Sequence, residues 1–499
     1  MIALPETFLK QMQDILPPDE FAAFCKTYEE PTVRGLRLNK LKYAGSSLRE
    51  GHQPDEAIHR FVDSAVEWIA SSSTTPRNDG QWDVVPWCAE GRYYPDTIRP
   101  AKSIYHHAGL FYIQEPSAMC PVTVLAPQPD HKVLDLCAAP GGKSAQIAGH
   151  MQGEGLLVSN DASPTRSRAL VKNLERMGVT NAVVTTEMPK KLADRFPQFF
   201  DRILVDAPCS GEGMFRRDPD AIKAYTTNKP DACVEMQTDI LRHAAKMLKP
   251  GGRLVYSTCT FNMKENENVI LQFCEAHPDF TPVSIDHSTL GISPGLGNLP
   301  QAGRIFPHLA KGEGHFVALL EKMWESNTSG RPRTVAPIKT DREQNAHSVG
   351  ANCVRPQNAK IPKEFTEFRD QYIIGNFPTG EIVSHGANLY LQPEPLDLRG
   401  LRVARSGWYL GECAKGRFVP SHALAMGLRK SDFLYTVELS KENANRYLRG
   451  ESLDANKMFE IQPKDKPWVV VCYEGYPLGW ARLVQGRLKN GLPVGLVVK

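Results

Sequence analysis

The chain has 499 residues, 41% of them hydrophobic and 23% charged, with a formal net charge of +3. At roughly 100–200 residues per domain this length suggests three or four domains, and the composition excludes a disordered or fibrous chain. The near-neutral balance neither demands nor excludes a nucleic-acid partner, and no apolar run approaches the ~18 residues of a membrane span.

Residues 1–115 read as a small α+β unit. LPETFLKQMQDIL has the spacing of a short amphipathic helix and RGLRLNKL that of a strand. SSSTTPRNDGQ at 71–81 is a loop by composition. The opening MIALPETFLKQMQDILPPDE has no basic start followed by an apolar stretch, so no signal peptide is expected.

Residues 116–325 alternate strand and helix patterns. VLDL at 133–136, LLVSND at 156–161, AVVTTE at 182–187, RILVDAP at 202–208, KPGGRLVYSTCTF and HFVALLE at 315–321 read as strands. Between the second and third, Ser163 is placed to cap a helix, Pro164 fits its first turn and Gly178 ends it. Leu170, Val171, Leu174 and Met177 share one face of that helix; Ile240, Leu241, Ala244, Ala245 and Leu248 form a second stripe. Apolar strands separated by helices predict a mostly parallel sheet covered on both faces, an α/β fold.

Residues 326–360 are polar and read as a linker. Residues 361–430 and 431–499 return to globular composition. FLYTVELS, WVVVCYEG and PVGLVVK look like strands, so two small β-rich domains are expected.

The chemistry gathers at strand ends. The first strand runs into Cys137-Ala138-Ala139-Pro140-Gly141-Gly142-Lys143, a small-residue loop that lets a ligand approach the backbone, with free helix N–H groups behind it. A phosphate-cradling loop would need a Gly where Cys137 stands, and the dinucleotide pattern GxGxxG is missing. S-adenosylmethionine, which carries no phosphate, fits better. Asp161 ends the second strand and is the candidate for its ribose hydroxyls. Glu187 ends the third and is a candidate for the adenine side. A helix cap or a solvated loop position is the plain alternative for either acid.

Asp206-Ala207-Pro208-Cys209 follows the fourth strand, and Thr258-Cys259 ends the fifth, on the edge that carries the cofactor loop. Buried structural cysteine is the default reading of any single one of the eleven. They form no CxxC pair, so no metal site or disulfide framework is expected, and free thiols fit a cytoplasmic protein. Two cysteines and an aspartate around one methyl donor are more specific. Carbon 5 of cytosine is a poor nucleophile until a thiolate adds at carbon 6. A carboxyl group near N3, for which Asp206 is placed, assists as charge develops, and a second thiol assists elimination. Lys143 is suited either to neutralising Asp135 or Asp206 or to orienting the active carboxylate. Arg216, Arg217 and Lys223 suit phosphate contact or a solvated face equally.

These residues strongly resemble the Nop/Sun family of RNA (cytosine-5) methyltransferases. The match comprises DLCAAPGGK, the acid of SND, DAPCSGEG and YSTCT, in the family's order and spacing, with GLFYIQEPSAM at 109–119 and RLNKLK at 37–42. It covers about residues 1–325. The resemblance implies a class I S-adenosylmethionine-dependent (Rossmann-like) core. It makes Cys259 the nucleophile, Cys209 the release residue, and residues 137–143, Asp161, Glu187 and Asp206 the cofactor contacts. Glu187 departs from the family's usual Asp. The tail EGYPLGWARLVQGRLKNGLPVGLVVK looks like that of bacterial members of the RsmF type, which act on small-subunit rRNA and end in PUA-like RNA-binding domains. That makes 16S rRNA, free or in the 30S subunit, the expected partner, with a monomer as the expected state and tRNA as the alternative substrate.

A DNA cytosine-5 methyltransferase is the first rival. It attacks from a Pro-Cys motif, here Pro208-Cys209, and uses a Glu-Asn-Val triplet, here Glu267-Asn268-Val269. The triplet reads as an ordinary helix start with Val269, Ile270 and Phe273 inward, and Thr258-Cys259 has no role in the DNA scheme. A non-catalytic RNA-binding scaffold is disfavoured because the loop and both cysteines are intact.

Overall fold

The computed structural model describes residues 3–43, 82–227, 230–324, 361–375, 377–455, 458 and 467–498. The expected loop at 71–81 and linker at 326–360 lie outside them. The N-terminal unit starts with helices Glu6–Ile15 and Pro18–Lys26. Strands β1 (Gly35–Leu38), β2 (Val84–Val85), β3 (Cys88–Tyr93) and β4 (Phe111–Ile113) form a sheet of order β2-β3-β1-β4.

The core sheet begins with β5 (Lys132–Asp135), β6 (Leu156–Asn160), β7 (Ala182–Thr185), β8 (Phe200–Asp206) and β9 (Leu248–Thr258), all paired in parallel in the order β7-β6-β5-β8-β9. Strands β10 (Phe280–Val283), β11 (Ser293–Pro294), β12 (Gly303–Ile305) and β13 (His315–Lys322) extend it; β13 lies antiparallel beside β9. Helices Gly142–His150 and Pro164–Arg176 cover one face, and Pro189–Arg195, Pro230–Met247 and Glu267–Ala276 the other. The local signals explain the helix after β6. The Ser163 hydroxyl accepts from the Arg166 amide, Pro164 opens the first turn, and Gly178 follows the last at φ +73°. Leu170, Leu174 and Met177 are buried, and Val171 packs partly buried against the same core.

The sheet is parallel only in its middle. The antiparallel additions come from hairpin-like returns after β9, and one comes from far away in sequence. The C-terminal region supplies β14 (Glu381–His385), β15 (Asn388–Gln392), β16 (Val403–Arg405), β17 (Trp408–Ala414) and β18 (Arg417–Pro420). Four of these make a small sheet, but β16 leaves it and pairs antiparallel with the edge strand β7. An open strand edge is thereby covered.

The last unit holds β19 (Thr436–Glu438), β20 (Leu453–Asp454), β21 (Trp468–Tyr473), β22 (Tyr476–Val484) and β23 (Arg487–Asn490), ordered β19-β21-β22-β23-β20. It shares a hydrophobic cluster with Leu36, Leu38, Leu110 and Phe111 of the N-terminal unit, so the two ends of the chain pack together. The strand expected at PVGLVVK is absent. The structure has a single 3-10 turn at Val494–Leu496, with Val494 on the surface. Pro493 cannot donate to a ladder, and β23 already has neighbours on both sides.

Candidate active site

The strand ends β5, β6, β8 and β9 open on one edge of the sheet. Beyond β5 the chain turns through Leu136–Gly141 into the Gly142–His150 helix. Gly141 sits at φ +108°, and a Cβ there would lie 2.9 Å from Leu170 Cδ1; one on Gly142 would lie 3.0 Å from the Tyr112 ring. Glycine is therefore required for the loop to close onto its neighbours. The Ala138 amide donates to Asn160 O at 2.7 Å, and the Ala139 amide to Asp161 Oδ2 at 3.3 Å. Asp161 Oδ1 accepts from the Ser163 amide at 3.0 Å. Asp161 thus couples the loop to the next helix, directly after the end of β6.

Asp135 lies beneath the loop, fully buried. Burial pushes its carboxyl up to about 7, against a 2.6 Å hydrogen bond from Ser144. Its Oδ1 has no hydrogen-bond partner among the described residues. Small side chains, bare first-turn amides and the Asp161 carboxylate suit a ligand with a carboxylate at one end and ribose hydroxyls at the other.

The two cysteines meet. Cys209 and Cys259 are 50 residues apart in sequence, yet their sulfurs lie 3.4 Å from each other. Adjacent parallel strands explain this, because Asp206 of β8 sits in register with Ser257 of β9. The hydrogen bond with Cys259, and then burial, push the Cys209 thiol well above its ordinary value. Both residues remain partly open while Ser210, Thr258 and Thr260 around them are buried.

Asp206 completes the cluster. Its Oδ2 accepts from Lys143 Nζ at 2.8 Å and its Oδ1 from Ser257 Oγ at 2.8 Å; His315 Nε2 stands 3.7 Å away. Burial alone would raise this carboxyl, but the Lys143 ammonium and the His315 ring overcome it and hold it well below the usual range. Lys143 is itself raised, because Asp206 outweighs burial. Of the two partners open to Lys143, the direct one is Asp206.

Two expectations read differently in space. Glu187 is 2% exposed, and its carboxylate is taken up by Lys191 at 2.9 Å, the Arg402 amide at 2.6 Å and the Arg402 guanidinium at 3.3 Å. It anchors the incoming β16 segment. Arg216 is buried against Glu313 at 2.6 Å and donates to Thr27 O, so it holds the N-terminal unit instead of offering a phosphate contact. Arg217 and Lys223 are exposed, Lys223 pairing with Asp220.

The sequence reading missed Glu212, Glu265, Asn266 and His315, all buried at the site. Glu212, Glu265 and His315 touch loops or strand ends distant in sequence, Asn266 touches the nearby turn around Cys259, and no periodicity marks such residues. Glu267, read as an ordinary helix start, does begin the helix, but it is buried and paired with Arg304. Among the described residues no cluster could hold a metal ion, and no helix is long and apolar enough to cross a membrane.

A parallel sheet with an antiparallel strand beside its fifth member, a small-residue loop after its first and an acid after its second defines a class I methyltransferase. Family models agree along the chain. The model for 16S rRNA methyltransferase RsmB/F matches residues 122–321, and that for the N-terminal domain of 16S rRNA methyltransferase RsmF matches 4–77 and 67–116. The RsmF first C-terminal domain matches 367–428, and the RsmF PUA domain 434–498. Ribosomal RNA small subunit methyltransferase F of Erwinia tasmaniensis is 32% identical over 99% of this chain and 97% of its own. The Aliivibrio fischeri protein of the same name is 33% identical over 99% and 98%. Among solved structures, PH0851 is similar with a TM-score of 0.54 and 26% identity, covering 64% of this chain and 66% of its own. NSun6 from Pyrococcus horikoshii with SFG has a TM-score of 0.50 at 22% identity, covering 65% of this chain and 100% of its own. The chain belongs to the ribosomal RNA small subunit methyltransferase F family and is an S-adenosylmethionine-dependent methyltransferase.

Proposed function

We propose that this enzyme methylates carbon 5 of a cytosine in 16S rRNA, free or within the 30S subunit, through a covalent adduct on Cys259. The 3.4 Å approach of the Cys209 and Cys259 sulfurs beside Asp206 carries the reading. The substrate follows the names of the relatives and the match to a PUA domain. On the same reading the enzyme works as a monomer in the cytoplasm.

The cofactor is held by Cys137, Ala138, Ala139, Pro140, Gly141, Gly142 and Lys143, with Asp161 at the ribose end. Glu187 contributes on that side through the segment it anchors, since its carboxylate is already bonded. When bound, S-adenosylmethionine supplies the electrophilic methyl group.

The residues of the chain do the rest. The Cys259 sulfur forms a bond to carbon 6, and its proton ends on N3. Asp206 is anionic, so it accepts the N3–H hydrogen bond and offsets the positive charge that grows on the ring once carbon 5 is methylated. Lys143 keeps that carboxylate ionised and fixed in place. Release requires that the carbon 5 proton leaves and that the C6–S bond breaks. Cys209 is a neutral thiol within reach of the departing sulfur. It passes its proton to Cys259 and recovers one from carbon 5, while N3 gives up its own, so one proton is released per methyl transferred.

The test incubates wild-type, Cys259→Ala and Cys209→Ala proteins with S-adenosylmethionine and unmodified 16S rRNA or 30S subunits. Methylcytosine is read by mass and the adduct as a covalent protein–RNA band. The reading holds if wild type makes 5-methylcytosine, Cys259→Ala does not, and Cys209→Ala accumulates the band. Turnover by Cys259→Ala with loss in Cys209→Ala would make Cys209 the nucleophile, as in the DNA scheme. Methylation of tRNA but of neither rRNA form would replace the substrate.

A further inference from the structure

The segment that follows the Cys259 turn is Glu265-Asn266-Glu267, three consecutive polar residues with at most 1% exposure. Burying three such side chains is costly unless each is bonded, and each is bonded to a different piece of the site. Asn266 brackets the nucleophile: its Oδ1 accepts from Thr258 Oγ1 at 2.6 Å, and its Nδ2 donates to Thr260 O at 2.9 Å. The two contacts fall one residue before and one residue after Cys259, which fixes the turn that carries the sulfur.

Glu265 reaches the other loop. Its Oε2 accepts from the Ser210 amide at 2.9 Å, directly after Cys209, and from Gln237 Nε2 at 3.0 Å. Gln237 Nε2 also donates to Pro208 O at 2.9 Å, directly before Cys209. Cys209 is therefore bracketed as well, through Glu265 and Gln237. Glu267 anchors the segment by pairing with Arg304, whose Nη1 donates to Phe261 O at 2.9 Å. The grip is returned from the Cys209 loop, because the Phe261 amide donates to Glu212 Oε2 at 2.9 Å and the Gly213 amide to Cys259 O at 2.8 Å.

We propose that Asn266 and Glu265 are positioning residues for the two-thiol reaction, Asn266 setting the Cys259 turn for adduct formation and Glu265 holding the Cys209 loop against it for adduct release. The proposal rests on the two-cysteine reading above. Neither side chain needs to touch RNA or cofactor. One segment thus contacts both cysteine loops, and it acts together with the direct bonds between those loops, among them Ser210 Oγ to Thr260 Oγ1 at 2.8 Å.

The experiment uses the full-length protein, S-adenosylmethionine and unmodified 30S subunits. Asn266→Ala and Thr258→Val remove the Cys259 bracket from its two sides, the second with the side-chain shape kept. Both are expected to slow adduct formation and turnover together, by about 100-fold, the scale of a misplacement of about 1 Å. Glu265→Ala is expected to accumulate the covalent band while turnover falls, and Glu265→Gln, which keeps an acceptor for the Ser210 amide, to recover part of the turnover. Cofactor affinity by calorimetry stays at the wild-type value in all four. Wild-type turnover in Asn266→Ala and Glu265→Ala would overturn the proposal. So would loss of cofactor binding in step with activity, which would mean that the segment holds the whole domain. Cys209→Ala serves as the control: if it fails to accumulate the band, the release role of Cys209 falls; if it accumulates the band and Glu265→Ala does not, only the positioning role falls.

Discussion

The Arg402 amide donates to Glu187 Oε1 at 2.6 Å, and its guanidinium lies 3.3 Å from Oε2. A residue of the C-terminal region is thereby bonded to the end of β7, beside the strand ends that carry the proposed cofactor residues. The neighbouring Thr186 amide donates to Arg402 O at 2.8 Å, so the contact is reciprocal. The C-terminal unit is built into the catalytic sheet, and β16 is its point of entry.

Replacing Glu187 by Gln weakens that junction. Burial alone would raise the Glu187 carboxyl, yet Lys191 and Arg402 leave it below its ordinary value. A carboxyl depressed in the folded state adds stability above its unfolded value and loses it as pH falls through the folded one. The melting temperatures of wild type and Glu187→Gln should therefore differ most near neutral pH and converge on acidification. Equal melting at every pH would remove the anchoring role.

Lys143→Met should raise the Asp206 carboxyl, because burial then acts with less opposition. The acid limb of the single-turnover rate moves to higher pH, and the rate at neutral pH falls by about 100-fold, the lower end for losing one preorganised charge contact. An unshifted acid limb would show that Lys143 does not control Asp206.

Arg304 and Glu267 form a pair with 1% exposure on each side, bonded at 2.7 and 2.5 Å. Arg304→Met leaves a buried carboxylate without its partner and should cost about 3–5 kcal/mol in urea unfolding. Replacing both partners by apolar residues should cost less than the single change.

Gly178 ends the Pro164–Arg176 helix at φ +73°, and a Cβ there would lie 2.4 Å from Met426 O of the C-terminal region. Gly178→Ala should cost about 1–3 kcal/mol for the left-handed backbone. The contact should also loosen the C-terminal unit, seen as faster limited proteolysis near residue 426 with methyl transfer to rRNA reduced.

The sequence by itself determined the core. Period, caps and small-residue loops act over a few neighbours, so β5 to β9, the helix capped by Ser163 and the 137–143 loop could all be read locally. Alternating strands and helices then put the ends of β5 to β9 on one edge, which was enough to bring the 137–143 loop, Asp206, Cys209 and Cys259 to the same side. Only the tertiary structure decided how they meet. The 3.4 Å sulfur contact joins residues 50 apart, and Glu187 is bonded to a residue 215 positions away. Glu265 and Asn266 carried no signal of their own in the sequence, because Glu265 bonds to the Ser210 amide 55 residues away and Asn266 to the non-repeating turn around Cys259. PVGLVVK had the apolar content of a strand but no ladder to join. Propensity acts along the chain, whereas strand pairing, buried charge and loop brackets depend on which distant backbone arrives alongside.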